Sequence, residues 1–341
     1  MAGIARFFAE ENDITIRCDL CPRRCKIKSG NFGLCRVRGN KNGKSLIPFF
    51  GFISTLALDP IEKKPLYHFR PGTTILSAGF AGCNLHCPFC QNWHISQSTD
   101  IPGKYIQPGE LVSAALHENS QAIAYTYSEP LVHAEFLLDC MKLAHDHGIA
   151  NVLVTNGCIN PEAAEEILQF TDAANIDLKC FSRETYTKIL GGDLDAVLEF
   201  IRSAHSKGIH TEITTLVVPG LNDSFSELDD CAGFIVSLNT IPGLPNIPWH
   251  LSAYHPDYRW NAPPTDPGFL QQIKERVHGN IAYVYTGNIP GEENNTSCFH
   301  CGNLLVRRRG YNTETPGLEK PSDGSKMFKC SKCGKITGIV C

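Results

Sequence analysis

The stretch AGCNLHCPFCQNW, Ala81 to Trp93, carries three cysteines at uneven spacing. Three residues separate Cys83 from Cys87, and two separate Cys87 from Cys90. A structural zinc ion takes four closed ligands. Three thiols on one loop leave such a site a ligand short unless His86 or His94 completes it. Thiolates also hold iron–sulfur clusters. A four-iron cube bound by three cysteines keeps one iron open, and an open position is what catalysis needs.

Working outward, residues 72 to 290 alternate between two periods. TTILSAG, AIAYTY, ANVLVTNG, ANIDLKC, HTEITTLVVPG, PWHLSAYHP and IAYVYTGN are short and rich in β-branched or aromatic residues. Amphipathic stretches of helical length lie between them, such as VHAEFLLDCMKLAHDHG, with Val132, Phe136, Leu137, Met141 and Ala144 on one face. In NPEAAEEILQF, Asn160 is expected to cap, with Pro161 in the first turn and Glu162 favouring the helix dipole. Gly148 and Gly208 end two helices in the left-handed position. Repeated strand–helix–strand units imply a parallel sheet with helices outside. Their number fits an α/β fold built as a partial, open β/α barrel. Its chemistry is expected at the carboxyl ends of the strands. Polar residues recur there: the cysteine loop, then YSEP (Tyr127–Pro130), TNG (Thr155–Gly157), DLK (Asp177–Lys179), PGLND (Pro219–Asp223) and AYHP (Ala253–Pro256).

Composition sets the frame. The chain has 341 residues, 42% hydrophobic and 19% charged, enough apolar material for a large core. Its start does not read as a secretory signal, and no apolar run approaches the ~20 residues of a membrane span. A cytoplasmic protein without membrane contact is expected. Sixteen cysteines in that setting point to metal rather than disulfides. Eleven fall into three groups: Cys18, Cys21, Cys25 and Cys35; the central three; and Cys298, Cys301, Cys330 and Cys333. Residues 1–50 carry a net charge of +6 and residues 298–341 of +5, leaving −15 between them.

The central signature, with the aromatic Phe89 just before its last cysteine, resembles that of the radical S-adenosylmethionine (SAM) enzymes. The resemblance spans residues 72 to about 260 and is nearest to the pyruvate formate-lyase activating enzymes. It implies that Cys83, Cys87 and Cys90 hold a [4Fe-4S] cluster and that Glu129 of YSEP takes the methionyl ammonium of SAM. It places Thr155, Asn156, Asp177 and Lys179 near the methionyl carboxylate and ribose, and Phe89 on the adenine. It also implies an electron donor such as a flavodoxin or ferredoxin. In those enzymes an aspartate before TNG helps bind a monovalent cation. Here that position is Val154, which leaves a cation site one carboxylate short. With both flanks included, the chain resembles the radical SAM member of the AmmeMemoRadiSam group.

The flanks divide the chain into a Cys-rich N-terminal segment (1–50), the barrel core (51–290) and a C-terminal unit (291–341). Cys298-x2-Cys301 and Cys330-x2-Cys333, each followed by glycine, read as a zinc ribbon. The N-terminal set fits zinc, an auxiliary cluster or packed apolar thiols, and its spacing leaves these open. Tyr254 and His255, at the end of the sixth strand, are expected on the substrate side as catalytic residues. The expected enzyme cleaves SAM to methionine and a 5′-deoxyadenosyl radical that takes hydrogen from a protein residue or a small molecule. The rival reading is a non-catalytic, metal-stabilised protein whose basic ends hold nucleic acid or a protein partner. It explains neither the polar strand ends nor the acidic middle.

Overall fold

The structure, a computed structural model, describes residues 5–238, 247–321 and 324–341. Its centre is an eight-stranded sheet. The strands are β1 (Thr55–Pro60), β2 (Thr74–Gly79), β3 (Ala122–Thr126), β4 (Ala150–Thr155), β5 (Ala173–Asp177), β6 (His210–Val217), β7 (Trp249–Ala253) and β8 (Val284–Gly287). They lie side by side in chain order, and β2 to β8 are all parallel. Helices α1 (Pro108–His117), α2 (Ala134–Asp146), α3 (Pro161–Leu168), α4 (Leu194–Ser206), α5 (Phe225–Ser237) and α6 (Pro267–Val277) occupy the crossovers. The carboxyl ends of the parallel strands therefore share one rim.

The seven parallel strands coincide with the segments marked by sequence. Strand β1 was not among them. It runs antiparallel to β2, with Thr55 opposite Gly79 and Pro60 opposite Thr74. Its leucines, Leu56 and Leu58, are 46% and 45% exposed, whereas its Asp59 is buried. That inverts the usual pattern of a half-buried strand and hides it from a hydrophobicity reading.

The two faces of the sheet bury different residues. Toward the helices point Leu76, Ile123, Leu153, Ile176, Ile213 and Leu251, within the main core. Toward the barrel interior point small residues, Ala122, Ala124, Ala150 and Ala173. These leave room for the segment after β1, whose Ile61, Leu66 and Phe69 pack on them and close the base of the barrel. Gly148 and Gly208 adopt φ of 70° and 75°, as the helix ends require. Asn160 precedes α3, but its side chain does not cap the helix. Its Nδ2 instead donates to the carbonyl of Asp19, 2.7 Å away, and ties down the N-terminal segment.

That segment forms a meander of Phe8–Asn12, Thr15–Cys18 and Lys26–Lys28. Its Ile16, Leu20 and Ile27 belong to the same core as the barrel. The C-terminal residues form two three-stranded sheets with a small core of their own, including Leu305, Val306 and Ile339. Among the described residues no helix is long and apolar enough to cross a membrane.

One buried ion pair fastens the N-terminal segment to α2. The Arg38 guanidinium, 1% exposed, forks onto Glu135 at 2.7 and 2.9 Å. Removing one partner of a buried pair strands the other charge and costs about 3–5 kcal/mol. We expect Arg38→Ala to lose about that much stability in denaturant unfolding, and Arg38→Met combined with Glu135→Leu to recover most of it.

Candidate functional site

The rim encloses a cavity of about 310 Å³. The cysteine loop follows β2 and forms one wall, with Cys83, Cys87, Cys90 and Phe89 all lining it. Glu129 reaches the cavity from the end of β3, Asn156 from the end of β4, and Asp177 and Lys179 from the end of β5. Residues far apart in sequence meet here because parallel strands deliver their ends to one place.

Glu129 is 2% exposed. Its Oε1 accepts from the backbone N–H of Leu131 at 3.0 Å and from the Thr155 hydroxyl at 2.6 Å. Its Oε2 accepts from the backbone N–H of Asn156 at 2.8 Å. Thr155 does not line the cavity; it stands behind Glu129 and fixes the carboxylate. Among the described residues Glu129 is the one buried acid without a basic partner. Asp59 has Lys63 and Lys64, Glu62 has Arg308, Glu135 has Arg38, and Glu212 has His210 and His250. Burial pushes the Glu129 carboxyl up to about 7, against the pull of its three donors.

The thiols are set for a cationic centre. Burial pushes Cys87 up to about 12 and Cys83 well above the ordinary thiol value. Cys83 and Cys87 therefore hold their protons until a metal displaces them. Donors already face Cys83: the backbone N–H of Leu85 at 3.3 Å and the Asn156 amide at 3.6 Å. The Asn156 amide also donates to Asn84 Oδ1 at 3.0 Å. Ser96 Oγ lies 3.2 Å from Cys90 Sγ. His86 and His94 do not line the cavity; the His86 ring meets Gln97 at 3.1 Å instead. Neither histidine therefore stands as a fourth ligand beside the three thiols. Lys179 pairs with Asp177 at 2.7 Å. Burial opposes the lysine charge, but Asp177 and the Cys87 thiol outweigh it and raise its pKa.

The opposite end of the cavity holds residues that the sequence did not single out. Asp59 receives the ammonium groups of Lys63 and Lys64, each at 2.7 Å, and the hydroxyl of Tyr127. Lys64 is 1% exposed and its Nζ lies 4.2 Å from the centroid of the Tyr127 ring. Tyr127 itself adopts φ of 70°, a conformation rare for a bulky residue. Two ammonium groups share one carboxylate. This end is therefore positive, whereas elsewhere in the lining Asp177 is paired with Lys179 and Glu129 has no cation. The consecutive lysines of IEKKP were a visible signal, but nothing local tied them to a strand end.

Tyr254 and His255 are not brought to this cavity. Strand β7 sends Ser252 into it. Tyr254, fully buried, donates its hydroxyl to the carbonyl of Trp260, and His255 Nε2 lies 2.9 Å from the carbonyl of Asn288. Alternation stops where the strand ends, so these two side chains no longer follow its inward face.

The C-terminal cysteines converge. Ligand atoms of Cys298, Cys301, Cys330 and Cys333 all lie within 4.8 Å of one another, with sulfurs 3.7 Å (Cys301–Cys330) and 3.8 Å (Cys298–Cys333) apart. The two knuckles match. The N–H of Gly302 donates to Cys298 O and that of Gly334 to Cys330 O, both at 2.8 Å. Burial opposes ionisation of Cys330, but the backbone N–H groups of Cys333 and Lys332 pull it down to about 6. Four sulfurs at this spacing suit a single metal ion.

Comparison with known proteins fits this geometry. The profile of the Radical SAM superfamily matches residues 79–232. The chain is 38% identical over 341 residues to the "uncharacterized protein MJ0808" of Methanocaldococcus jannaschii, covering 98% of this chain and 99% of that protein. It is 27% identical over 180 residues to the pyruvate formate-lyase-activating enzyme of Clostridium pasteurianum, 50% of this chain and 73% of that one. Among solved structures, a radical SAM methyltransferase from Sphaerobacter thermophilus shares the fold. Its TM-score is 0.51 at 14% identity, over 89% of this chain and 80% of that one.

The raised value of Glu129 has a definite consequence for stability. The folded protein favours the protonated carboxyl, so this contribution is complete below the free value of 4.5 and is lost as pH climbs through about 7. We expect the stability of Glu129→Gln relative to the parent to improve as pH is raised from about 5 to about 8, in unfolding midpoints measured without ligand. A constant difference across that range would refute the assignment.

Proposed function

Because the chain belongs to the radical SAM superfamily, in one family with the M. jannaschii protein and related to the pyruvate formate-lyase activating enzymes, we propose that it is a radical SAM enzyme. The observation that carries this reading is Glu129: a buried carboxylate without a cationic partner, beside three thiols that line the same cavity. The three thiols would hold a cluster, and a ligand that brings an ammonium group to Glu129 would complete the acid's site. SAM is such a ligand.

In this reading Cys83, Cys87 and Cys90 hold a [4Fe-4S] cluster. When bound and reduced by a donor such as a flavodoxin or ferredoxin, that cluster supplies the electron that splits SAM into methionine and the 5′-deoxyadenosyl radical. The chain's own residues bind and orient. Glu129 takes the methionyl ammonium in a charge-assisted contact, and Thr155 holds its carboxylate in place. Asn156, Asp177 and Lys179 serve the methionyl carboxylate and ribose, and Phe89 packs on the adenine. The base of the barrel, closed by Ile61, Leu66 and Phe69, excludes water from that side. The positive end at Lys63 and Lys64 favours a substrate that carries a negative group there, on a protein residue or a small molecule. Burial already lowers the pKa of Lys64 against the pull of Asp59, and an anion would relieve that penalty.

We assign the four C-terminal sulfurs to zinc. The units are then a Cys-rich N-terminal segment (1–50), the barrel (51–290) and a zinc ribbon (291–341) with its own small core.

The test is anaerobic reconstitution with iron and sulfide, then dithionite and SAM. 5′-Deoxyadenosine and methionine should form together. Cys87→Ala should abolish both products while zinc stays bound. Undiminished cleavage in each of Cys83→Ala, Cys87→Ala and Cys90→Ala would sink the cluster assignment. Glu129→Gln should assemble the cluster and bind SAM roughly tenfold or more weakly, in line with about 1.5–3 kcal/mol for a hydrogen bond to a charged group. SAM affinity equal to that of the parent in equilibrium binding would count against the ammonium contact.

A further inference from the structure

Outside the cavity, a second set of thiols gathers behind the cysteine loop. Cys18 ends the strand Thr15–Cys18, Cys21 and Cys25 follow in a tight turn, and Cys35 comes from the next loop. All four line one small recess, together with Leu34, Arg38 and Asn84. Cys18 and Cys35 are buried, Cys21 and Cys25 half-buried. The buried guanidinium of Arg38 donates from Nε to Cys18 Sγ at 3.4 Å. A cation aimed at sulfur suits a thiolate, and four convergent thiolates suit a metal centre.

The spacing of the sulfurs separates two kinds of centre within this one molecule. Among the described residues only the C-terminal set gathers its ligand atoms within 4.8 Å, as a single ion needs. The Cys18 set and the Cys83 loop are both wider. A cube of four irons holds its thiolates further apart than one ion does, so the N-terminal set, like the Cys83 loop, is compatible with a cube.

Its position is also informative. Gly82, the neighbour of Cys83, has φ of 77°, and a Cβ there would come within 2.4 Å of the carbonyl oxygen of Cys35. The two cysteine loops are in backbone contact. Asn84 lines the recess, accepts from the Asn156 amide at 3.0 Å and donates to the carbonyl of Cys158 at 2.6 Å. Arg23 lines the recess, and on either side of Cys25 the chain exposes Arg24, Lys26 and Lys28, with Lys26 3.2 Å from Glu11; these form its basic rim.

We propose that Cys18, Cys21, Cys25 and Cys35 bind a second, four-iron cluster that relays single electrons to the Cys83 loop. One electron comes from an external flavoprotein or iron–sulfur protein, which is oxidised by one electron. The same electron passes on, and no bond forms or breaks in the recess. The basic rim docks an acidic donor. The metal site stands on its own thiols, and only the relay role rests on the radical SAM reading.

The test counts metal on the full chain after anaerobic reconstitution with iron, sulfide and zinc. The parent should hold about eight irons, two cubes' worth, and one zinc. The triple variant Cys83→Ala, Cys87→Ala, Cys90→Ala should keep about four irons and a [4Fe-4S] Mössbauer and electron-paramagnetic signature. Circular dichroism and the retained zinc report that it is folded. A parent with about four irons that the triple variant loses overturns the second cluster, and with two zincs it assigns the recess to zinc. A folded triple variant free of iron overturns it as well. Failure of the SAM reading looks different: the parent then holds only about four irons, and the triple variant keeps all of them. For docking, stopped-flow reduction of the reconstituted parent by reduced flavodoxin should slow about tenfold in Lys26→Glu, Lys28→Glu, as charge reversal on a steering surface does. An unchanged rate overturns the docking surface.

Discussion

A carboxylate buried without a counter-ion is expensive, and Glu129 is held in that condition by the fold. Two adjacent parallel strands end side by side. The first supplies the acid and the second supplies Thr155 and Asn156 as its donors. The same Asn156 reaches Cys83 and Asn84 through its amide. A single chain of hydrogen bonds thus couples the acid to the thiol loop. Neither part could be placed without the strand register that brings Ala124 beside Val152 and Tyr125 beside Leu153.

Glu129, the thiols and the Asp177–Lys179 pair line the cavity together with a positive end made of two lysines that share one carboxylate. The positive end depends on β1, an edge strand whose buried residue is its charged one. Asp59 fixes Lys63, Lys64 and Tyr127 together, and the chain that follows turns under the barrel as its plug.

Below the plug a second polar network joins the barrel to the C-terminal unit. Glu212, fully buried, accepts from the backbone N–H groups of Tyr67 and His68 at 3.0 and 2.7 Å, and lies 2.6 Å from His250 Nε2. Arg308, from the C-terminal unit, donates to the carbonyl of Tyr67 at 2.6 Å and to the Thr296 hydroxyl at 2.7 Å. The final strand extends the same joint, with Val340 N–H donating to His68 O at 2.8 Å. Buried polar groups paired in this way favour one relative arrangement over others, although Arg308 Nε itself has no hydrogen-bond partner among the described residues. The base of the cavity is thereby tied to the C-terminal unit.

The sequence by itself determined the seven parallel strands, because each is a short apolar run between amphipathic stretches. It also determined the thiol loop, whose spacing is a local property of thirteen residues. Glu129 and Asn156 were legible as polar residues after strands. Tertiary structure alone decided what each one touches. Thr155 turned out to stand behind Glu129, and Asn160 to grip the N-terminal segment rather than cap its helix. Tyr254 and His255 left the cavity because a strand dictates side-chain direction only while its alternation lasts. Strand β1 and its lysines were hidden for the opposite reason. Their apolar residues face outward and their charges inward, and only the packed barrel supplies the partners that make such burial stable.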